Sequence, residues 1–518
     1  MGVIARQSIK GALANYLGVA IGFFVSFFVL TKYLTQEEIG LTRVLVDAAM
    51  LFSSLAQLGT NSSIVKFFPW FKTDPSVSPS QADSSPKTGE QPVPNHGIFG
   101  LSLLLPLAGF MLFALAFLIF REPLLAVYSK NAPLLADYFY LVPMLTFFAL
   151  YTTVFETNAS VLLRITVPKL VREVGIRLFN LAAYLLYGID LISLDVFVWL
   201  FCGSYGLAMV LNLLYLASLG HISFRIDRSF LDRSKVKEMV RYSLFMTATV
   251  LAGNIPLFNS LFLGAKAGLA LTGVYTIASY IANVVEVPYR SLGAISRPVI
   301  ATAVKEGNWD EVERLGRQVS LHQLMVSTTI LYLIYINLDT LFALIPNGQD
   351  YVGGTTVVLM LGLAKVVNSS FSVCTDILNF SKYYAWSLVY IAILTLMAIG
   401  LNSILIDTSG IAGAAGATLL AYAAYFALLI RHLSALKTGS VIVFSWGQAK
   451  MVAIMIAMVA AYLGWSEIVE PALGMGIILS AAIRTLVLGG LLTAAVLGWK
   501  VSPTVNGMVR EKLLKVKS

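Results

Sequence analysis

The residues best placed to do chemistry are charged side chains that interrupt long apolar runs. Lys365 lies near the middle of GTTVVLMLGLAKVVNSSFSVC, beyond easy reach of water at either end of that run. A cation in this position could hold a pyrophosphate or an acidic sugar in a hydrated cavity. Arg43 and Asp47 are four residues apart, as are Glu286 and Arg290, so each pair shares one helix face. Either pair could line a cavity or neutralise itself locally.

Further polar residues fall within or beside the apolar runs. Glu156 and Asp376 are carboxylates that could bind a coupling proton or sodium ion. Arg297 follows the run that contains Glu286 and adds a cation to the binding candidates. Asn15 and Asn254 could line a hydrogen-bonding passage, but helix–helix packing explains these amides equally well.

The elements that must position these residues are membrane spans. Only 12% of the 518 residues are charged and 58% are hydrophobic, and the mean hydropathy of +0.81 excludes an ordinary soluble protein. About 20 apolar residues in a helix cross a bilayer, where the backbone must satisfy its own hydrogen bonds. We therefore predict an all-α membrane protein with about fourteen transmembrane helices, twelve or thirteen remaining open. The predicted spans are 11–30, 41–59, 98–120, 137–157, 174–189, 195–217, 243–263, 270–288, 320–337, 354–373, 385–405, 411–430, 450–465 and 472–497.

The basic residues are unevenly divided between alternate connecting segments. With the amino terminus inside, about 29 of the 36 lysines and arginines fall on the inside and about four on the outside. Because an error of one span would invert this asymmetry downstream, we predict an even number of spans and two cytoplasmic termini. The net charge of +9 follows from this rule and does not indicate a nucleic-acid partner. Arg484, inside the last span, is expected to pair across helices or to bind lipid.

The two halves of the chain repeat each other. The segments YLTQEEIGLTRVL and LGAKAGLALTGVYTIAS each combine a turn with a glycine, Gly40 and Gly273, and corresponding features lie about 217 to 235 residues apart. Each half has six spans, so the repeat should be parallel, with substrate held between the lobes. The predicted domains are two six-helix lobes and a C-terminal part with two extra helices and a basic cytoplasmic tail: 1-222, 223-432 and 433-518. The segment 73-97, rich in proline and serine, is predicted to be a disordered cytoplasmic loop, either a tolerated insertion or a regulatory segment.

The sequence offers little for bond-making chemistry. A membrane glycosyltransferase or ligase generally needs a large hydrophilic outside loop, and the outside connections here are short. No cluster of histidine, cysteine and carboxylate residues has metal-ligand spacing, and no GxxxxGK[ST] loop is present. An enzyme is therefore the disfavoured alternative, and we predict no metal and no cofactor.

Two short motifs resemble a known family. The opening SIKGALANYLGVAIGFFVSFFVLTKYLTQEEIGLTRVL is similar to the start of polysaccharide (O-antigen-type) flippases, through an Asn in the first span and a turn that contains Leu34, Thr35, Glu37, Glu38 and Gly40. The segment IDTSGIAGAAGATLLAY is similar to the turn that precedes the family's twelfth span. The family is part of the multidrug/oligosaccharidyl-lipid/polysaccharide exporter superfamily.

The resemblance implies a two-lobed bundle of twelve spans, often with two more, that works by alternating access in the cytoplasmic (inner) membrane. It implies a flippase for undecaprenyl-diphosphate-linked oligosaccharide in surface polysaccharide biosynthesis, with membrane lipids and a polysaccharide polymerase or ligase as partners. The long loop at 73-97 and the lack of the Arg-rich pattern of lipid II flippases depart from the family's patterns. A cation-coupled multidrug exporter of the same superfamily is the alternative, and it predicts a carboxylate-lined apolar cavity in the N-terminal lobe.

Overall fold

Helices make up most of the residues that the structure describes, and short turns and loops connect them. The computed structural model describes residues 14, 17–71, 94–220, 222–224, 232–252, 255–435, 441–473 and 475–507. The chain divides into two compact units, Met1–Gly273 and Val274–Ser518. Each unit is described in turn.

Ten principal helices lie in the described residues of the N-terminal unit. They are α1 (Leu17–Tyr33), α2 (Gln36–Ala56), α3 (Thr60–Phe71), α4 (Ile98–Ser129), α5 (Pro133–Tyr138), α6 (Leu141–Val161), α7 (Ile176–Gly188), α8 (Leu194–Ser218), α9 (Arg233–Ala252) and α10 (Ile255–Lys266). A π-helical turn, Val25–Val29, lies within α1, and a 3-10 turn, Pro94–Gly97, precedes α4. A short helix, Thr166–Leu170, and a π-helical turn, Val171–Gly175, lead into α7. The predicted disordered loop lies outside the described residues except for its last four.

The C-terminal unit takes in most of α11 and the helices that follow. They are α11 (Leu269–Asn283), α12 (Val287–Lys305), α13 (Trp309–Ile336), α14 (Leu338–Leu344), α15 (Thr355–Phe380), α16 (Ala385–Ser434), α17 (Trp446–Gly464) and α18 (Ile477–Gly498). 3-10 turns at Val284–Glu286 and Gly348–Gly354 precede α12 and α15. A π-helical turn, Trp465–Val469, and a short helix, Glu470–Leu473, follow α17.

Nine helical stretches within the described ranges are long and apolar enough to cross a membrane. They are Gln36–Ala56, Asn95–Ser129, Leu194–Ser218, Leu269–Tyr289, Trp309–Ile336, Gly348–Phe380, Ala385–Ser434, Trp446–Val469 and Ile477–Gly498. The all-α, multi-pass membrane class predicted from the sequence is confirmed. All fourteen predicted runs overlap helices, but the count of fourteen spans stays a prediction.

The longest helix contains a chain reversal. Gly410 in α16 has φ 55° and ψ −131°, a conformation that glycine adopts without a Cβ clash. A Cβ added to Gly413 would overlap the carbonyl oxygen of Leu405, although residues eight apart in a straight helix are separated by about 12 Å. The chain therefore folds back at Gly410, and α16 holds the two predicted spans 385–405 and 411–430.

The turn that carries part of the family resemblance is a helix start. Thr35 precedes α2, and its Oγ1 accepts a hydrogen bond from the Glu38 backbone N–H at 3.3 Å. The Glu38 carboxylate accepts from the Thr35 backbone N–H at 2.8 Å, which completes a capping box. Tyr187 of α7 donates its hydroxyl to the other Glu38 oxygen at 2.5 Å. The same residues thus begin α2 and attach it to α7.

Gly40 and Gly273, which the sequence repeat pairs, each lie against the helix that carries the other. The carbonyl oxygen of Leu269, the first residue of α11, faces Gly40, and that of Gln36, the first residue of α2, faces Gly273. An added Cβ at either glycine would overlap the facing oxygen. Each glycine is four residues into its own helix and contacts the first residue of the other.

The last two long helices pack into the C-terminal unit. Tyr332 of α13, Met458 and Tyr462 of α17, and Leu488 and Leu492 of α18 belong to one buried cluster. The Tyr332 hydroxyl donates to the Met458 carbonyl oxygen at 3.0 Å. The three-part division at 1-222, 223-432 and 433-518 stays a prediction.

Candidate functional site

The ammonium group of Lys365 is held in an ion pair inside the C-terminal unit. Its Nζ lies 2.9 Å from Oε2 of Glu286, and the two side chains are 14% and 15% exposed. Asn368, three residues further along α15, donates its Nδ2–H to Oε1 of Glu286 at 2.9 Å. The Glu286 carboxylate therefore accepts hydrogen bonds from two donors on one face of α15.

A break in the helix that leads to Glu286 places this carboxylate at a junction. Val284–Glu286 form a 3-10 turn between α11 and α12. Pro288, the second residue of α12, has no N–H and disfavours a continuous α-helix through the residues before it. The sequence therefore interrupts the helix where an acidic residue faces Lys365.

A second ion pair joins the same two stretches of helix three turns further on. Arg297 Nε lies 3.2 Å from Oδ2 of Asp376, and Arg297 Nη2 donates to the Tyr289 hydroxyl at 2.7 Å. Both ion pairs join residues 79 positions apart in the sequence. The two stretches therefore run parallel in a constant register. The acid of the first pair, Glu286, lies just before α12, whereas the acid of the second pair, Asp376, lies in α15.

The N-terminal unit contains the ion pair that the four-residue spacing predicts. Arg43 Nε lies 2.5 Å from Oδ2 of Asp47, whose side chain is only 4% exposed. Ser260 of α10 donates its hydroxyl to the same carboxylate oxygen at 2.5 Å. Asp47 is therefore a buried acid with a cation and a hydroxyl as partners.

Glu156 also faces a cation. Arg172, in the π-helical turn before α7, places Nη1 at 2.7 Å from Oε2 of Glu156. Glu156 is 15% exposed, whereas Arg172 is 45% exposed. Arg172 also lies 3.3 Å from Glu173, its neighbour in the chain.

Three predicted site residues cannot be placed. Asn15 and Asn254 lie outside the described residues, and so does the side chain of Arg290. Their predicted roles stay predictions, as does the local pairing of Glu286 with Arg290. The carboxylate of Glu286 has Lys365 and Asn368 as the partners that are described.

The arrangement around Lys365 is suited to binding an anion. An ammonium group has three donors, and Asn368 adds an amide donor within one helical turn. Both donors are directed at the Glu286 carboxylate, which is itself an anion. In the described residues, no group of three or more His, Cys, Asp or Glu could hold a metal ion.

The sequence also matches a known family. The family model described as "Polysaccharide biosynthesis protein" matches residues 6–304, which is more than half of the chain. The chain belongs to this family. The match confirms the resemblance inferred from the opening residues, and it includes Arg43, Asp47, Glu156 and Glu286. No match was found among curated proteins.

Solved structures show that this polysaccharide biosynthesis family member has a transporter-type fold. The lipid II flippase MurJ in an inward closed conformation has a TM-score of 0.67 at 11% identity, over 93% of this chain and 98% of that chain. An inward-facing multidrug resistance transporter of the MATE family in the MOP superfamily has a TM-score of 0.58 at 18% identity, over 85% and 100%. A MOP superfamily transporter from Pyrococcus furiosus has a TM-score of 0.52 at 15% identity, over 84% and 96%. At these identities the likeness establishes the fold alone.

Several partners in the site escaped the sequence-based prediction. Asn368 lies three residues after Lys365, so helical spacing could have added it to the candidates. Tyr289, Arg172 and Ser260 gave no such signal, because their partners lie on other turns or other helices. The pairing of Glu286 with Lys365 joins residues 79 positions apart, which spacing within one helix cannot show.

Proposed function

We propose that this member of the polysaccharide biosynthesis family is a flippase. It moves an undecaprenyl-diphosphate-linked oligosaccharide across the cytoplasmic membrane by alternating access, with both termini in the cytoplasm, and it is not an enzyme. The observation that carries the proposal is the family match over residues 6–304. The MurJ-like fold over 93% of the chain agrees with it.

Lys365, Asn368 and Glu286 together form the Lys365 cluster, which supplies the hydrogen-bond donors that the diphosphate head of the substrate needs. A diphosphate carries negative charge that has to be matched by donors wherever water is scarce. Lys365 and Asn368 provide such donors next to each other, and Glu286 keeps them satisfied when no substrate is bound. When the diphosphate binds, it replaces the Glu286 carboxylate as the partner of Lys365. The buried lysine is therefore never left unpaired. The polyprenyl tail needs no such site because it can stay in the lipid.

The main alternative is a cation-coupled multidrug exporter. That function needs carboxylates in the N-terminal unit that are available to a proton, a sodium ion or a cationic drug. Asp47 and Glu156, the two predicted there, each face an arginine at 2.5 Å and 2.7 Å. These pairs favour the flippase. An increase in drug resistance on expression of the chain would favour the exporter.

The function is tested in a deletion strain. We expect lipid-linked oligosaccharide to accumulate on the cytoplasmic leaflet when the gene is removed and to reach the outer leaflet again when the chain is restored. Accessibility of the glycan to a lectin in intact and in permeabilised cells measures the two pools. An unchanged distribution, together with a loss of drug resistance, would contradict the flippase.

The role of the Lys365 cluster is tested with two variants. Lys365→Ala should lower export roughly tenfold or more, since a charge-assisted contact is worth about 1.5–3 kcal/mol. The double variant Glu286→Gln with Lys365→Gln leaves no unpaired charge, so a purely structural pair would tolerate it. We expect this double variant to fail in export as well, because the cation for the diphosphate is gone.

The controls separate this site from the overall function. Lys305→Ala removes an exposed lysine at the end of α12 and should export normally. Lys365→Arg keeps a cation and should retain part of the export. Normal export by the double variant at matched expression would show that Lys365 does not hold the diphosphate, and the flippase itself would stand.

A further inference from the structure

A side cavity in the N-terminal unit is separate from the ion pairs described above. It has a volume of 260 Å³ and lies between α3, α4 and α9. Its walls are mainly aliphatic, with Ile64, Leu101, Leu105, Met239 and Val240 among the lining residues. A space of this shape and size, slightly below the usual range for small-molecule sites of about 300–1,000 Å³, suits part of an alkyl chain.

Two hydroxyl groups in the cavity wall have no hydrogen-bond partner within the described part of the chain. Thr60 and Ser63 line the cavity and are 3% and 5% exposed. Their Oγ1 and Oγ atoms are buried and have no hydrogen-bond partner among the described residues. Burying a hydroxyl without a partner is unfavourable. These donors therefore indicate a ligand that brings an acceptor.

The backbone explains why these hydroxyls are available. A serine or threonine inside a helix usually donates to a carbonyl three or four residues earlier. Here α3 begins at Thr60, directly after Leu58 and Gly59, which have φ values of 47° and 68°. The carbonyl oxygens of Gln57 and Gly59 already accept the backbone N–H groups of Thr60 and Ser63, at 2.9 and 3.1 Å. Neither hydroxyl donates to these oxygens.

Two exposed cations of α9 lie one helical turn before residues of the cavity wall. Arg233 and Lys237 of α9 are exposed, and each is three residues before a lining residue, Val236 and Val240 respectively. Residues at this spacing are neighbours on one face of a helix. Neither cation lines the cavity, but each lies one helical turn from its wall, and a basic side chain there matches a phosphate group.

We propose that this cavity binds an anionic glycerophospholipid. One acyl chain lies against the aliphatic walls, an ester carbonyl accepts from Thr60 and Ser63, and the phosphate lies near Arg233 and Lys237. The ester distinguishes this ligand from a polyprenyl phosphate, which has no carbonyl for the hydroxyls. Residues 72–93, the chain segment next to α3, contain only one large aliphatic type, valine at two positions, and do not match an aliphatic cavity.

The first test uses the wild-type chain and needs no variant. The full-length protein in phosphatidylcholine nanodiscs is labelled with a phosphatidylglycerol that carries a photoreactive group in one acyl chain. We expect cross-links on α4 and α9, and we expect ester-linked phosphatidylglycerol to compete roughly fivefold better than its diether analogue, about the effect of one hydrogen bond. Equal competition by the two lipids would overturn the assignment. Stronger competition by undecaprenyl phosphate than by phosphatidylglycerol would also overturn it.

The second test fills the cavity and removes its donors. Ala108→Phe, in the lining, should abolish labelling, whereas Ala116→Phe, at an exposed position eight residues along α4, should leave it unchanged. Thr60→Val with Ser63→Ala should bring the ester and diether lipids to equal competition. Arg233→Gln with Lys237→Gln should reduce the preference for phosphatidylglycerol over phosphatidylcholine, while Lys130→Gln should not. Labelling that resists Ala108→Phe in a protein that elutes as a monodisperse peak would show that the lipid binds elsewhere.

Discussion

At the scale of the residue, Arg484 is a buried cation whose two terminal nitrogens both donate hydrogen bonds. Its side chain is 4% exposed and its Nη1 donates to both carboxylate oxygens of Glu470, at 2.8 and 2.9 Å. Its Nη2 donates to Asn337 at 3.2 Å and to Thr340 at 3.0 Å. Of the two roles expected for Arg484, pairing across helices and binding lipid, the structure shows the first. The guanidinium thus connects α18 to the junction of α13 and α14.

Replacing Arg484 should destabilise the protein more than losing any exposed arginine. Arg484→Met removes the donor to Asn337 and Thr340 and leaves the Glu470 carboxylate, which keeps Ser480 as a donor, without its cation. Breaking a fully buried pair costs about 3–5 kcal/mol, and the cost here is lower because Glu470 is 30% exposed. We expect a clear fall in the melting temperature of the purified protein. Arg484→Lys should recover only part of it, because a lysine cannot supply the same fork of donors.

Two comparisons make the Arg484 prediction specific. Arg314→Met, in a pair where the side chains are 63% and 34% exposed, should leave the melting temperature unchanged. Arg484→Met with Glu470→Met should melt higher than Arg484→Met alone, because no carboxylate then stays unpaired. Identical melting of Arg484→Met and the wild type would show that the network contributes nothing to stability.

Residue-scale prediction from the sequence succeeded where partners are close in the chain. The Arg43–Asp47 pair follows from four-residue spacing. Lys365 was predicted as a buried cation, but its acid was not, because Glu286 pairs with it across helices. The register between two helices depends on how their side chains interlock, and one sequence does not record that packing directly.

At the scale of the element, the crossing of α2 and α11 depends on two glycines. Gly40→Ala and Gly273→Ala each add a Cβ that would overlap a backbone carbonyl oxygen. Since backbone oxygens cannot move as a flexible side chain does, the helices must separate at this point. We expect either variant to lower the melting temperature, and the double variant to add less than the sum because the first substitution has already opened the crossing.

The control for the glycine variants is a glycine in open space. Gly203 in α8 has nothing within 4 Å of an added Cβ, so Gly203→Ala should be neutral or slightly stabilising. If Gly40→Ala behaves like Gly203→Ala, the crossing does not require glycine. Sequence spacing paired Gly40 with Gly273 as repeat partners, but the direct contact between the two helices became visible only in the structure.

Element boundaries were predictable to the extent that apolar runs define them. All fourteen predicted runs overlap helices, because a backbone in lipid has to bond within its own segment. The runs do not reveal the breaks that place the site. The 3-10 turn at Val284–Glu286 lies inside a predicted span, and it positions Glu286. Such breaks depend on local backbone effects, such as the missing N–H of Pro288, more than on hydropathy.

At the scale of the whole molecule, the span count depends on the reversal in α16. A straight helix of 50 residues would be about 75 Å long, more than twice the thickness of the hydrocarbon core. If α16 crossed the membrane only once, the total number of spans would be odd. Every connecting segment after α16 would then lie on the opposite side of the membrane. The reversal at Gly410 makes two spans instead, which agrees with the charge asymmetry.

The reversal predicts which residues can be reached from each side of the membrane. Ser409 is exposed next to Gly410, and Lys382 and Ser434 are exposed near the two ends of α16. We expect Ser409→Cys to react with a membrane-impermeant maleimide in intact cells. Lys382→Cys and Ser434→Cys should both react only after permeabilisation, because the proposed topology, with both termini in the cytoplasm, puts them on the cytoplasmic side. The native cysteines, Cys202 and Cys374, are buried and should contribute little background. If α16 crossed once, Ser409→Cys would be unreactive in lipid, and the other two would react from opposite sides.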